Sequence, residues 1–416
     1  MAILVQKFGG SSVANPERIK RVAQRVVEAK EKGDDVVVVV SAMGDTTDEL
    51  VALARQITER PPHREMDMLL STGEQVSIAL LAMAIHELGK PVISLTGAQG
   101  GIVTDNTHTK ARIQRIHTER VRRELAEGKI VIVAGFQGIT EDYDITTLGR
   151  GGSDTTAVAL AAALGARECE IYTDVDGVYT ADPRVVPDAR KLSDISYGEM
   201  LEMASLGALV LQARSVEFAA QYGVPVHVRS SFNRNEGTLV REERVVEKDM
   251  IVVGVAHDVN VAKVAILDVP DRPGVAAKIF SALAAEAINV DMIVQTAKQQ
   301  QTTDMLFSVS RGDLSRTEEI VRAVAAELGA KSVLVDDNVA KVSIVGAGMV
   351  SNPGVAARMF EALAAKNINI QVISTSEIKV SCLVKADEID EAVRAVHDAF
   401  GLAQPAGEPG ALRKAE

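Results

Sequence analysis

Tryptophan is absent from this chain of 416 residues, and aromatic residues make up only 3% of it. Proteins that hold nucleic acid stack bases on aromatic faces and gather phosphates with excess cations. Here 45 Lys and Arg stand against 57 Asp and Glu, a formal net charge of −12, which argues against nucleic-acid partners and against attraction to anionic membranes. Cysteine is nearly absent. Cys169 and Cys382 stand alone with no C-x-x-C, so the expectation is a reducing, cytoplasmic setting and two small buried hydrophobes. The seven His are scattered without H-E-x-x-H spacing, which speaks against a zinc site built by the protein. Any metal is expected as Mg²⁺ carried in by a nucleotide. The start Met-Ala-Ile-Leu-Val-Gln-Lys lacks the basic and apolar regions of a leader, and no run is expected to approach a membrane span.

What the chain has instead is apolar bulk in regular order. Hydrophobic residues make up 47%, enough for two or three cores of ordinary size. Over residues 1–232, apolar runs at Val36 to Val40, Val92 to Leu95, Ile130 to Val133, Glu170 to Tyr172 and Val226 to Val228 alternate with helical patterns near 74–88, 112–127, 154–164 and 212–222. Such alternation builds βαβ units, and continuous apolar runs mark strands buried on both faces. The fold class is therefore α/β, an α/β/α sandwich on a mainly parallel sheet. Residues 233–249, polar and of mixed charge, read as a linker.

Beyond the linker the sequence repeats at a constant offset. Arg272-Pro273-Gly274-Val275-Ala276-Ala277 matches Asn352-Pro353-Gly354-Val355-Ala356-Ala357, and Ile288-Asn289-Val290 matches Ile368-Asn369-Ile370. The first copy, 261–337, has all six elements of a ferredoxin-like βαββαβ module. The second, 339–401, has five and then meets Gln404-Pro405-Ala406-Gly407, which cannot be a strand. The apolar stretch within 250–257 is expected to supply the missing strand, which makes the first module an insertion in the second. Residues 402–416 are expected to form a flexible tail.

Four glycine-containing loops in the first domain carry the chemistry. Lys7-Phe8-Gly9-Gly10-Ser11-Ser12 follows the strand Ile3-Leu4-Val5, which sets one ammonium and bare N–H groups at the carboxyl end of a sheet, where anions collect. It is not a Walker A loop, because the Lys precedes the glycines. Ser41-Ala42-Met43-Gly44 and Gly135-Phe136-Gln137-Gly138 follow two more strands, and Gly149-Arg150-Gly151-Gly152-Ser153-Asp154-Thr155 opens a helix with an Arg fit for a carboxylate or phosphate. Phosphoryl transfer needs such neutralisation more than a covalent nucleophile. Ser71-Thr72-Gly73-Glu74 adds a carboxylate, read as a helix cap or as a partner for a substrate ammonium. Tyr172 to Arg184 is dense in polar groups beside aromatic faces, as a nucleotide pocket or a surface turn would be.

Taken in order and spacing over nearly the whole chain, these segments and the C-terminal pair resemble the aspartate kinases, an amino-acid kinase domain followed by two ACT domains. The resemblance implies ATP-dependent phosphorylation of the side-chain carboxylate of L-aspartate, the first step toward lysine, threonine and methionine. By that resemblance Lys7, Asp154 and Arg150 serve the transfer. Ser41, Thr47, Glu74, Arg150 and Ser153 contact aspartate, and Lys7, Gly9, Gly10, Ser11, Thr173, Asp174, Tyr179, Asp182 and Arg184 hold ATP. It also implies that lysine, threonine or both act as feedback effectors at Asp271, Pro273, Gly274, Ala276, Gln295, Thr303, Asn369, Ile370 and Ser376. Assembly would be a homo-oligomer through ACT pairing, or a hetero-oligomer with a small subunit initiated at Met250. One departure stands out: the family has a Lys where this chain has Leu209, which cannot donate to a phosphate. The alternative it favours is a non-catalytic amino-acid sensor on a degenerate kinase fold.

Overall fold

The computed structural model describes residues 2–208, 210–242, 250–296 and 302–403. By internal contacts the chain divides into two units, the first running to Val178 and resuming at Lys191–Ser205 and 210–242. The second holds Tyr179–Arg190, 206–208 and the residues from 250 onward. Domain boundaries drawn from sequence had assigned all of 1–232 to the first unit. The segment 179–190 departs from that because it pairs with C-terminal elements: Thr180 O accepts from Val255 N–H at 2.7 Å, and Thr180 Oγ1 meets His397 Nε2 at 2.9 Å.

In the first unit, β1 (Ile3–Phe8), β2 (Asp35–Val40), β3 (Val92–Leu95), β6 (Ile130–Ala134), β9 (Glu168–Thr173), β10 (Asp194–Ser196), β11 (Val226–Ser230) and β12 (Thr238–Arg241) form one sheet in the order β10-β12-β11-β9-β1-β2-β6-β3. All pairings are parallel except β11 with β12. β1 lies in the middle, and five of its six residues are buried. Strands β4 (Ile102–Thr104), β5 (Ile113–Ile116), β7 (Gln137–Ile139) and β8 (Ile145–Thr147) make a second small sheet. Helices α1 (Pro16–Glu31), α2 (Thr46–Ile57), α3 (His63–Glu87), α4 (Glu119–Ala126), α5 (Gly152–Leu164), α6 (Tyr197–Ser205) and α7 (Ala213–Tyr222) complete the unit. Asn15 caps α1 by accepting from Arg18 N–H at 3.0 Å, with Pro16 at the first helical position. Both cysteines are buried, and burial raises both thiols, Cys382 to about 12.

Two expectations need correction. The helix expected from 74 begins at His63, because Pro61-Pro62 sets the break and the buried positions Leu70, Ser77, Leu81 and Ile85 continue one stripe. The helix expected over 112–127 opens instead with β5, which pairs antiparallel with β4, and only Glu119–Ala126 is helical. α3 is also long and apolar enough to cross a membrane by length and composition, contrary to the expectation that no run approaches a span. It is a core helix here: Asp67, Ser71, Glu74 and Ser77 lie buried along it, and it packs on α1, α2 and β3.

The second unit contains two four-stranded antiparallel modules. In the first, β14 (Ala262–Pro270), α8 (Val275–Ala285), β15 (Ile293–Gln295), β16 (Thr302–Val309), α9 (Leu314–Leu328) and β17 (Ser332–Asp336) give the order β15-β16-β14-β17. In the second, β18 (Val339–Val345), α10 (Val355–Ala365), β19 (Val372–Thr375), β20 (Lys379–Lys385) and α11 (Ile389–Ala399) are joined at the edge by β13 (Gly254–Asp258). β13 pairs antiparallel with β18 from Gly254↔Val345 to Asp258↔Lys341, the place that β17 takes beside β14. The first module therefore lies in sequence inside the second. Val261, Met292, Val339, Val372 and Leu383 form an apolar cluster across the two modules, and Lys341 pairs with Asp291 between them at 2.5 Å.

His397 on α11 is fully buried, and its Nδ1 has no partner among the described residues. Burial holds its imidazole below the ordinary value, while Asp188 and Asp398 oppose and Arg190 reinforces the shift. Above the unfolded value of about 6.5 both states are neutral and stability is whole; as pH falls below it, the unfolded chain takes a proton that the folded one refuses. The unfolding midpoint by calorimetry is expected to drop between pH 7 and 5.5, and His397→Gln is expected to flatten that drop.

Candidate active site

Lys7 sits in central β1, flanked by Val39 of β2 and Ile171 of β9, two residues before the strand gives way to Gly9-Gly10. Its Nζ lies 2.6 Å from Asp154 Oδ1. Asp154 is in the first turn of α5, whose N-cap is Gly151 with φ +70. The helix dipole and the ammonium both favour the carboxylate there. Neither Ser153 nor Asp154 caps the helix through its side chain. Both members of the pair are buried, Lys7 at 9% and Asp154 at 7% exposure.

The glycine loop differs in detail from expectation. Gly9 N–H donates to Tyr172 O at 3.2 Å and is spent, whereas the N–H groups of Gly10 and Ser11 donate to no backbone acceptor among the described residues. A Cβ on Gly10 would come within 2.9 Å of Ala42 O, so glycine is what lets the 9–12 and 41–44 loops touch. Phe8 stacks on Tyr172 at 4.6 Å, and Tyr172 OH, Gln6 Nε2 and Arg229 Nη1 all converge on Glu170. Beneath the loop lies a rigid network that holds β1 and β9 in register.

Glu74 lies mid-helix on α3, not at its start, and is 2% exposed. Its Oε1 accepts from Ala42 N–H at 3.1 Å, and its Oε2 is buried without a partner among the described residues. Burial pushes the carboxyl up to about 7, against the backbone hydrogen bonds. A buried oxygen that wants a donor is suited to an incoming ammonium. Ser41 follows β2, with its N–H on Phe8 O, and Thr47 is in the first turn of α2; both are half-buried. Ser153 is packed so closely on the 135–138 loop that a Cβ on Gly135 would meet its Oγ at 2.6 Å. Phe136, held in the left-handed region at φ +67, donates its N–H to Thr156 Oγ1 of α5. Arg150 is exposed and forms no ion pair among the described residues.

The residues expected around the nucleotide divide. Thr173 ends β9 and Asp174 follows it in the first unit, where Thr173 Oγ1 donates to Asp174 Oδ1. Tyr179, Asp182 and Arg184 belong to the second unit, and Asp182 is paired with Arg184 at 2.7 Å, which lowers its carboxyl. Leu209 lies outside the described residues. Of the effector residues, Asp271, Pro273 and Gly274 form the exposed turn into α8, where Gly274 has φ +92, and Ala276 is exposed on that helix. Gln295 ends β15, and Thr303 on β16 is buried with its hydroxyl on Thr296 O. Asn369 and Ile370 precede β19 and are not in it; Ser376 lies in the turn before β20.

Sequence reading passed over one polar cluster. Asp67, fully buried on α3, accepts from Thr147 Oγ1 at 2.5 Å and Thr109 N–H at 3.1 Å, and pairs with His108 Nδ1 at 2.7 Å. An Asp on the apolar stripe of a helix was the one signal available.

The burial of Glu74 also makes stability depend on pH. Its folded value lies above the unfolded one, so the stability tied to it is full below about 4.5 and is lost as pH rises through about 7. At pH 8, Glu74→Gln is expected to raise the thermal midpoint by the equivalent of about 2 kcal/mol, measured by calorimetry, while weakening retention of an amino-acid ligand.

Residues 2–230 match the amino acid kinase family, and 263–329 and 342–400 each match an ACT domain. The aspartokinase of Mycolicibacterium smegmatis is 56% identical over 97% of each chain, and that of Geobacillus stearothermophilus is 56% identical over 98% of this chain and 99% of its own. Among solved structures, E. coli aspartokinase III in complex with aspartate and ADP is similar with a TM-score of 0.82 at 28% identity, covering 95% of this chain and 99% of that one. With a buried cation at the end of a parallel sheet and a paired ACT region, the chain belongs to the aspartokinases of the amino acid kinase family.

Proposed function

We infer that this chain transfers the γ-phosphoryl group of ATP to the side-chain carboxylate of L-aspartate. The observation that carries the reading is the juxtaposition of the Lys7–Asp154 pair with unspent N–H groups at Gly10 and Ser11, beside a buried carboxylate with one free oxygen at Glu74. In the transfer, an oxygen of the aspartate carboxylate forms the new bond to phosphorus, the bond to the bridging oxygen of ADP breaks, and no proton need be removed from the nucleophile. Lys7 neutralises charge on the moving group, and Asp154 fixes its ammonium. Glu74 takes the substrate ammonium, Arg150 the α-carboxylate, and Ser41, Thr47 and Ser153 orient the reacting end. Thr173 and Asp174 support the nucleotide.

The described residues hold no cluster of three or more His, Cys, Asp or Glu able to bind a metal, so the donor set fits Mg²⁺ only as an ion brought by the nucleotide phosphates. Bound there, it would screen phosphate charge. The ACT modules are read as the sensing part, with lysine as effector and threonine tested beside it; a structure of E. coli aspartokinase III with lysine and aspartate supports this. Assembly through ACT pairing, as a homo-oligomer or with a subunit begun at Met250, belongs to the same proposal.

Hydroxylamine trapping with ATP, Mg²⁺ and aspartate is expected to yield aspartyl hydroxamate; none from the wild-type chain would favour the sensor alternative. Lys7→Ala should abolish turnover. It also strands Asp154, at a cost of about 3 kcal/mol, so turnover is compared at a temperature where circular dichroism shows the variant folded. Asp271→Ala is expected to weaken lysine inhibition several-fold and leave uninhibited turnover near wild type; equal inhibition would move the effector site elsewhere.

A further inference from the structure

A cavity of about 550 Å³ lies beside the Gly149-Arg150 loop, lined among others by Lys110, Arg112, Arg150, Arg214, Glu217 and Phe218. Four cations face one carboxylate there, in a chain whose formal net charge is −12. Lys110, Arg112 and Arg150 form no ion pair among the described residues. Like charges brought together without counter-ions cost stability, and a fold keeps them together where an anion repays the cost.

The frame that gathers them is rigid. Arg214 donates to Leu148 O at 3.1 Å and to Ala111 O at 3.0 Å, tying the 105–112 loop to the residue before Gly149. Burial and then Arg112 hold its guanidinium below the usual range, with Asp105 and Glu217 opposing. Asp105 Oδ1 accepts from the N–H groups of Thr107 and Arg112, and Asp67 accepts from Thr109, whose φ of +66 is left-handed. Strain of that kind persists only where surrounding bonds over-determine it. Lys110 and Arg112 flank Ala111, whose N–H is fixed to Thr147 O. The two cations therefore stand on a loop bonded at both ends.

We propose that Lys110 and Arg112, braced by Arg214, form an anion-binding site against Arg150 that takes a small ligand of carboxylate or phosphate chemistry bearing two or more negative charges. The site shares Arg150 with the proposed aspartate site and otherwise goes beyond it. The chemistry fits two sources, the acid substrate on its way to Arg150 or free phosphate.

The test compares the full-length wild type with Lys110→Ala/Arg112→Ala, titrating inorganic phosphate by calorimetry and measuring KM and kcat for aspartate. Phosphate affinity reduced tenfold or more with KM unchanged assigns a free-anion site. A several-fold rise in the KM for aspartate, carried in KM and not in kcat and steeper at low salt, assigns a substrate-capture site. Recovery in Lys110→Arg/Arg112→Lys excludes a folding defect. If phosphate affinity and KM both match wild type, the proposal is overturned. Wild-type hydroxamate formation is read separately: its absence sinks the kinase reading and leaves phosphate binding to decide the pocket.

Discussion

One ion pair organises the catalytic unit. Lys7 and Asp154 are both buried where β1 ends and α5 begins, and they pair there at 2.6 Å. Each group makes the other's burial tolerable, and together they hold β1 and α5 in one spacing. Paired carboxylate and ammonium leave a site that is already neutral inside. In the proposed transfer, a cation already oriented by its partner needs little reorganisation, the condition under which electrostatics lowers a barrier most.

The loops around that pair approach closely because glycine permits it. A Cβ on Gly10 would meet Ala42 O, one on Gly73 would come within 2.8 Å of the Ala42 methyl, and one on Gly135 would strike Ser153, so none of the three has room for a side chain. Ala42 is the shared neighbour of the first two, and its N–H anchors Glu74. The same short segment thus spaces the phosphate loop and fixes the buried carboxylate. Shifting it by one methyl group would therefore disturb the 9–12 loop and the Glu74 carboxylate together.

Much of this was legible in the residues. The apolar runs gave the central strands, and the glycine loops after them gave the places where Lys7 and Ser41 would stand, since parallel strands end on one side. The repeated Pro-Gly-Val turn revealed both modules, and the missing sixth element pointed to β13. Other features were hidden for physical reasons. Ser71-Thr72-Gly73 reads locally as a helix start, and only packing shows that α3 runs through it. Gly9 looked like a phosphate donor until its N–H was found on Tyr172 O. The Asp67 and His108 pairing joins residues from a helix and a distant loop, which no spacing rule reports. The segment 179–190 reads as a continuation of the first domain, and its attachment to β13 and α11 depends on contacts far along the chain.

The edge strand β13 leaves a mark on how the chain can be made. Gly254 emerges from the ribosome long before its partner Val345, a separation of roughly 90 residues that closes a large loop at real entropic cost. The intervening module, with all its strands local, can be complete by then. Synthesis therefore imposes an order, inner module first and outer module last. Until β18 arrives, β13 is a strand without a sheet, and the nascent chain is most open to mispairing at that edge.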